Sequence, residues 1–462
     1  MAAARRSLFL VIAAALFLVA LPLAKSQSYI GVNYGEVADN LPPPDATVRL
    51  LKSTTISKVR LYGADPAILR ALAGTNISVI IGAANGDIAS LASDPSAAAN
   101  WVSANVLPFV PATTISVVAV GNEAFSSGDA ALASQLLPAM QNLYSALSAA
   151  APSSGIKVST VNIMSVLAQS DPPSSGAFHG DILPSLKGLL AFLQKTSAPF
   201  MINPYPYFAY QSDPRPETLA FCLFQPNAGR HDAGSGLTYM NMFDAQVDAV
   251  RSAMTAAGFP GVEIVVAETG WPYQGDQGEA GATVENARAY NGGLVSHLRS
   301  LAGSPKAPGK SVDTYIFALY DEDLKPGPTS ERSFGLFRPD LTATYDAGLA
   351  KSSATGAPAQ GNSPAPKRSA ARGWCVPREG ATDAELQANL DYACGQPGVD
   401  CGPIQEGGAC YLPNTVRSHA AYAMNQYFQV SGRSTSDCDF SNSAILTTDD
   451  PSYSTCVYQG SH

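Results

Sequence analysis

The segment EIVVAETGWP (residues 263–272) joins an apolar run to a carboxylate, Glu268, and places Trp271 three residues beyond it. Its apolar residues are consecutive rather than alternating with polar ones, which is typical of a strand buried on both faces of a parallel sheet. Strands often end in a polar residue at a loop, so this segment alone leaves Glu268 as either a solvated loop residue or a functional group. The rest of the chain favours the second interpretation.

Seven similar apolar runs occur between residues 29 and 322, and several are separated by Ala/Leu-rich helical stretches such as 129–150 and 283–302. The runs are YIGVNYG (29–35), SKVRLYG (57–63), ISVIIGA (77–83), TISVVAVGNE (114–123), KVSTVNIM (157–164), PFMINPYPYF (199–208) and VDTYIFALYDE (312–322). Eight strands with helical crossovers predict an α/β fold, a (β/α)8 TIM barrel. A doubly wound open sheet is the alternative, but the dinucleotide fingerprint is missing after the first strand.

Glu123, Glu268 and Glu322 stand at the ends of predicted strands, and two of them stand out: Glu123 on the fourth and Glu268 on the seventh. TIM barrels carry their active sites at the carboxyl ends of the strands, where these side chains would meet. Paired carboxyl groups about 5–5.5 Å apart, one acid and one nucleophile, are what retaining glycoside hydrolysis requires. A single strand-end Glu is more often a solvated loop residue, but two of them, one beside Asn122 and one near Trp271, favour a catalytic pair.

Other polar and aromatic side chains at the strand ends fit a sugar site. Arg60 is expected to hold the nucleophile ionised, and Asn122 is expected to hydrogen-bond the sugar 2-hydroxyl. Sugar rings stack on aromatic faces, although core packing is the alternative role for each aromatic residue. The predicted substrate-binding residues are Tyr34, Tyr62, Asn122, Asn203, Tyr205, Phe208 and Trp271.

Six motifs, in order, resemble the plant β-1,3-glucanases of glycoside hydrolase family 17. They are IGVNYG (30–35), RLYG (60–63), VAVGNE (118–123), NPYPYF (203–208), VAETGWP (266–272) and FALYDEDLKPGPTSERSFGLFRPD (317–340). The resemblance implies a retaining endo-hydrolase of (1→3)-β-D-glucosidic linkages on a (β/α)8 barrel. It gives Glu268 the nucleophile role and Glu123 the acid/base role. Glu322, Lys325 and Glu331 match the family's supporting charged cluster, and Asp323 stands where the family usually has Asn.

The C-terminal segment carries six of the seven cysteines: Cys375, Cys394, Cys401, Cys410, Cys438 and Cys456. An even, dense set in a short secreted segment indicates a disulfide framework, while zinc binding is disfavoured because CxxC pairs are missing. Spacing leaves the connectivity open. The motifs WCVP, GGACYLPNT and CDFSNSA resemble the carbohydrate-binding module of family 43, which implies glucan binding and the pairs Cys375–Cys438, Cys394–Cys401 and Cys410–Cys456.

The N-terminus reads as a secretory signal peptide over residues 1–26, with Arg5 and Arg6 before an apolar run and Ala24-Lys25-Ser26 after it. An uncleaved anchor is the alternative, but the apolar run is short for a membrane span. A Ser/Pro/Ala-rich linker (351–372) divides a hydrolase domain (27–350) from the cysteine-rich module (373–462). We therefore expect a secreted protein of the extracellular space or cell wall, with Asn76 as a candidate glycosylation site.

The composition of the chain indicates which classes of binding partner and cofactor to expect. The net charge is -9 with 14% charged residues, and no Lys/Arg-rich block appears, so nucleic acid is not expected. The five histidines share no ligand spacing, so neither a metal nor a cofactor is expected. The expected partner is a β-1,3-glucan, bound by a monomer without a membrane span in its mature form. The alternative functions are an inert glucan-binding wall protein and a β-1,3-glucanosyltransferase.

Overall fold

The computed structural model describes residues 29–351 and 373–460, except positions 395, 397, 398, 406, 432, 434, 439, 441 and 442. The predicted signal peptide (1–26) lies outside the described residues, and so does the predicted linker apart from residue 351. Both remain predictions. Among the described helices, none combines the length and the apolar character that a membrane crossing requires.

Eight parallel strands close into a barrel in which every strand pairs with its neighbours in chain order. They are β1 (Ile30–Tyr34), β2 (Lys58–Leu61), β3 (Ser78–Ala83), β4 (Thr114–Asn122), β5 (Lys157–Ile163), β6 (Phe200–Asn203), β7 (Ile264–Thr269) and β8 (Thr314–Ile316). The predicted (β/α)8 barrel is confirmed. The consecutive apolar runs arise because these strands are covered on both faces.

Helices follow the strands around the outside of the barrel. They are α1 (Pro44–Ser53), α2 (Pro66–Ala71), α3 (Ile88–Ser93), α4 (Pro95–Asn105), α5 (Ala130–Ala150), α6 (Leu183–Thr196), α7 (Pro206–Ser212), α8 (Pro216–Cys222), α9 (Met242–Ala256) and α10 (Val284–Ser300). Side-chain caps fix several starts: the Asp129 carboxylate accepts hydrogen bonds from the backbone N–H groups of Ala131 and Leu132 at the start of α5.

The barrel core has two layers, because successive side chains of a strand point to opposite faces. On β7, Val266 packs in the outer layer between strands and helices, whereas Ala267 packs in the inner cluster that fills the barrel. Met201 and Tyr315 also belong to the inner cluster and are almost fully buried. The barrel interior is therefore solid, and a ligand can enter only at its rim.

Two predicted strands are longer than the observed ones. The run 199–208 forms β6 only as far as Asn203, because Pro206 occupies the first position of α7, and Phe208 lies on that helix. The run 312–322 forms β8 only over Thr314–Ile316, so Glu322 lies in the following loop rather than at a strand end. Both corrections move predicted site residues from strands to the segments that follow them.

The C-terminal unit has its own elements and core. Strands β9 (Trp374–Pro377) and β10 (Ala444–Thr447) pair antiparallel beside helices α11 (Asp383–Cys394) and α12 (Val416–Val430). The disulfides are Cys375–Cys438, Cys394–Cys401 and Cys410–Cys456, the pairs that the family resemblance implies. Trp374 is only 2% exposed and belongs to the core of this unit, so it is not available for sugar stacking. The remaining cysteine, Cys222, is buried and unpaired in the barrel.

Candidate active site

Strands β4 and β7 each carry an irregularity in their pairing register. The irregularity of β4 lies just before Glu123, and that of β7 lies at Glu268. Against β5, the pairing of β4 jumps from Ala119 to Asn122, and against β8 the pairing of β7 jumps from Val266 to Thr269. In both cases three residues on one strand span two on its neighbour, which is a β-bulge. Bulges re-aim side chains, and here each lies beside the position of a predicted catalytic carboxylate.

Glu123 and Glu268 line one cleft of about 650 Å³ at the rim of the barrel. Of the other predicted site residues, the cleft wall includes Tyr62, Asn122, Tyr205, Phe208, Glu322, Lys325 and Glu331. A cavity of this size suits a small-ligand or oligosaccharide site, since such sites are typically about 300–1,000 Å³. The structure thus brings together side chains from the ends of β4 and β7 and from the segments that follow β2, β4, β6 and β8.

The Glu268 carboxylate is held at both oxygens. Arg60 Nη1 donates to Oε1 at 2.5 Å, and the Tyr205 hydroxyl donates to Oε2 at 3.0 Å. Arg60 is 1% exposed, and its Nη2 donates to Asn122 Oδ1 at 2.7 Å. Burial raises the pKa of Tyr205 well above its usual value, and the charge of Glu268 raises it further. The Tyr205 hydroxyl therefore keeps the proton that it donates. A cation and a hydroxyl donor together stabilise negative charge on Glu268.

Glu123 lies in a different environment. Burial raises the pKa of its carboxyl group, and the charge of Glu268 raises it further. The Asn203 side chain, whose Nδ2 donates to Glu123 Oε1 at 2.7 Å, opposes this shift together with Arg60 and Lys325. Glu123 is therefore the carboxyl group that tends to keep its proton, while Glu268 is the one that a guanidinium pairs.

A charged cluster from the loop after β8 completes the cleft. Lys325 Nζ lies 3.1 Å from Glu331 Oε2 and 4.5 Å from the centroid of the Phe317 ring. Glu322 is 5% exposed and accepts a hydrogen bond from the backbone N–H of Val37 at 3.0 Å. Carboxylates thus outnumber cations in this wall, which suits an uncharged ligand better than an anionic one.

The family model of the glycosyl hydrolases family 17 matches residues 30–348. The chain belongs to this family. A second model, that of the X8 domain, matches residues 373–445 in the cysteine-rich unit of this family 17 protein.

Two similar named proteins and one similar solved structure agree with this assignment. Glucan endo-1,3-beta-glucosidase 7 of Arabidopsis thaliana is 62% identical over 445 residues, which cover 96% of this chain and 87% of that protein. Glucan endo-1,3-beta-D-glucosidase of Olea europaea is 56% identical over 448 residues, covering 96% and 97%. The structure of CJP38, a beta-1,3-glucanase and allergen of Cryptomeria japonica pollen, superposes with a TM-score of 0.67 at 44% identity, covering 70% of this chain and 99% of that one.

Two predicted substrate contacts of this family 17 protein lie in the core instead. Trp271 is 0% exposed; its Nε1 donates to the Gly281 carbonyl at 2.7 Å, and its ring packs 5.2 Å from that of Tyr207. Tyr34 is 3% exposed, and its hydroxyl lies 3.5 Å from Thr47 Oγ1 on α1. Neither side chain can reach a sugar in the cleft, so both predictions are corrected to packing roles beneath it.

Asn203 and Arg60 act through other residues. Asn203 is 1% exposed and is not part of the cleft wall, so the predicted sugar contact is replaced by its hydrogen bond to Glu123. Arg60 is buried behind Glu268 and donates to its Oε1; the supporting role of Arg60 stays a prediction. Both side chains are therefore positioning groups for the two carboxylates.

Several residues of the site were missed in the sequence. Glu36, Ile163, Phe317 and Phe334 line the cleft. Glu36 comes two residues after the end of β1, so the strand-end signal was present but was not used. Phe334 offered no such signal, because it reaches the cleft from an irregular loop 18 residues beyond β8.

Asn85 was also missed in the sequence. It lies in a turn, two residues after the end of β3. Its Oδ1 accepts from the Asn122 backbone N–H at 2.8 Å, and its Nδ2 donates to the Asn122 carbonyl at 3.1 Å. This paired contact fixes the backbone immediately before Glu123.

Proposed function

We propose that this chain is a retaining endo-hydrolase of (1→3)-β-D-glucosidic linkages in β-1,3-glucans. The observation that carries the proposal is the pair Glu123 and Glu268, which share one cleft in opposite environments. Retaining hydrolysis needs one carboxyl group that holds a proton and one carboxylate that attacks. The names of the family 17 relatives, glucan endo-1,3-beta-glucosidases, support the same substrate.

Double displacement assigns a step to each carboxyl group. The Glu268 carboxylate attacks the anomeric carbon while Glu123 gives its proton to the departing glycosidic oxygen, and a covalent glycosyl-enzyme forms. Water then attacks the same carbon; Glu123, now a carboxylate, takes the proton of that water and Glu268 leaves as a carboxylate. Arg60 and Tyr205 hold the two Glu268 oxygens throughout, so the attacking carboxylate is kept in one orientation.

Aromatic side chains at the rim suit the apolar faces of glucose rings. Phe208 is 43% exposed although it is a large apolar residue, and its ring lies 5.3 Å from that of Tyr205. An exposed aromatic residue at the mouth of a cleft is a typical sugar-stacking position. Tyr62 and Asn122, also in the cleft wall, remain proposed substrate contacts.

The C-terminal unit is proposed to bind β-1,3-glucan and keep the hydrolase on insoluble substrate, joined to the barrel domain (27–350) by the linker 351–372. We further propose that the protein is a secreted monomer of the extracellular space or cell wall after removal of residues 1–26. Asn76 is proposed to be glycosylated: it is exposed and immediately precedes Ile77 and β3, at the amino end of the strand and so away from the cleft.

Hydrolysis of laminarin tests the proposal. The secreted protein should release reducing sugar, and proton NMR should show the β-anomer of each new reducing end before mutarotation. Binding to glucan without sugar release would instead support the inert wall protein. Products longer than the starting oligosaccharide, formed at the expense of hydrolysis, would support the glucanosyltransferase. Trapping with a mechanism-based inhibitor, followed by peptide mapping, should label Glu268.

A further inference from the structure

One wall of the cleft is built by two segments that hold each other. The turn after β1 and the loop after β8 are joined by hydrogen bonds from Val37 N to Glu322 Oε1 at 3.0 Å and from Leu324 N to the Val37 carbonyl at 3.1 Å. Gly35 permits this approach, because a Cβ at that position would lie 2.2 Å from Glu322 Cδ. Residues 35–37 therefore form a fixed part of the cleft wall.

Glu36 lies in the middle of this wall, and the mechanism assigns it no role. It lines the same cleft as Glu123 and Glu268 and is open to solvent. Among the residues that the structure describes, none forms a hydrogen bond or an ion pair with its carboxyl group. Its oxygens are free to bind a ligand in the cleft.

The surroundings of Glu36 disfavour a negative charge. Partial burial raises the pKa of Glu36 to about 7, and the charges of Asp65 and Glu322 add to the shift. The titratable side chains that face it or share its part of the cleft are Tyr34, Tyr62, Asp65, Glu322 and Lys325. Of these, Lys325 is the single cation, and it pairs with Glu331. Glu36 is therefore neutral in mildly acidic solution and charged above neutral pH.

We propose that Glu36 is a further substrate-binding group of the cleft, which hydrogen-bonds a hydroxyl group of a neutral glucan in its protonated form and weakens glucan binding in its ionised form. The inference rests on the proposed glucanase function and adds a determinant of substrate affinity to it. Glucan binding removes water from the cleft wall, and a carboxylate without a cationic partner is costly to desolvate. A neutral carboxyl group, in contrast, both donates to and accepts from sugar hydroxyl groups.

The pH dependence of KM for laminarin tests this proposal in the full chain. For the wild type, KM should be flat from pH 5 to 6.5 and rise by up to about tenfold per pH unit above pH 7. For Glu36→Gln, which is isosteric and neutral, KM should stay flat to pH 8.5 while kcat follows the wild-type pH profile. Asp39→Asn is the matched control, because Asp39 is another acidic residue of the same loop but is not part of the cleft wall.

The outcomes separate the two proposals. A wild type that releases no sugar from laminarin overturns the proposed function. A wild type that hydrolyses laminarin with a KM that Glu36→Gln matches at every pH overturns the role of Glu36 alone. An equal flattening of KM in Asp39→Asn would assign the effect to net charge and would also overturn it. Equal melting temperatures of the three proteins would show that the comparison concerns the cleft rather than folding.

Discussion

Arg60 and Glu268 form a buried ion pair, with 2.5 Å between Nη1 of the guanidinium and Oε1 of the carboxylate. The same guanidinium reaches Asn122 through Nη2, so β2 connects the ends of β4 and β7. The two strand ends that carry the proposed catalytic carboxylates are thereby held by one side chain. The orientation of the Glu268 carboxylate consequently depends on a residue that lies outside the cleft wall.

Replacing Arg60 by Met should leave the buried Glu268 carboxylate without its cationic partner, with only the Tyr205 hydroxyl still donating to it. We expect kcat to fall by at least about 100-fold and the free energy of unfolding to fall by about 3–5 kcal/mol, as for other buried ion pairs that lose one member. Arg60→Lys, which keeps the charge but lacks the planar fork, should lose less of both. Laminarin kinetics and chemical denaturation measure the two quantities. Wild-type kcat in Arg60→Met would contradict a role for the pair in catalysis.

Replacing each carboxylate by Ala should separate their roles. Removal of Glu123 is expected to lower kcat by about 10²–10⁴-fold, with least effect on aryl glycosides whose leaving group needs no proton. Azide should then intercept the glycosyl-enzyme and give the β-glycosyl azide. Removal of Glu268 should abolish turnover, and azide attacking the substrate directly should give the α-glycosyl azide. NMR of the azide products decides, and the opposite stereochemistry would exchange the two assignments.

Asn203 should tune the acid/base group. Its hydrogen bond lowers the pKa of Glu123, whereas burial and the charge of Glu268 raise it. Because Asn203→Ala removes a lowering contribution, Glu123 should keep its proton to higher pH and the alkaline limb of the kcat/KM profile should move upward. Asn162→Ala is a matched control, since the buried Asn162 amide donates to the Met201 carbonyl instead. An unchanged alkaline limb in Asn203→Ala would rule out this influence.

The barrel, and the meeting of Glu123 and Glu268 in one cleft, could be predicted from the sequence because both depend on local pattern. Consecutive apolar runs mark strands covered on two faces, and the carboxylates stand where those runs stop. The bulges near Glu123 and Glu268 have no such pattern, since they result from register between strands distant in the chain. Trp271 illustrates the same limit. Glu268, three residues before it, lines the cleft, but the indole of Trp271 is buried and donates to the Gly281 carbonyl in a later loop, which the local sequence does not reveal.

The pair His297–Asp244 should make stability depend on pH. Burial alone would lower the pKa of His297, but the charge and hydrogen bond of Asp244, 2.9 Å away, outweigh burial and raise it. The pair therefore stabilises the fold fully below the unfolded-state pKa of ~6.5, and this contribution is lost as pH rises through the raised folded-state pKa. His297→Gln should lower the melting temperature more at pH 5.5 than at pH 8.5. The exposed His231, changed to Gln, is the control, and an equal loss at both pH values would contradict the prediction.

Deleting residues 373–462 should weaken retention on insoluble β-1,3-glucan while kcat/KM on short soluble laminari-oligosaccharides stays within about twofold of the wild type. The two units have separate hydrophobic cores, and the residues that line the cleft all lie in the barrel domain, so the deletion removes no part of the cleft wall. A full-length Cys375→Ser, Cys438→Ser variant is the second test. Loss of that disulfide should cost the unit about 2–5 kcal/mol and reduce retention in the same direction. Pull-down with curdlan measures retention, and undiminished retention of the deleted chain would contradict a glucan-binding role for the unit.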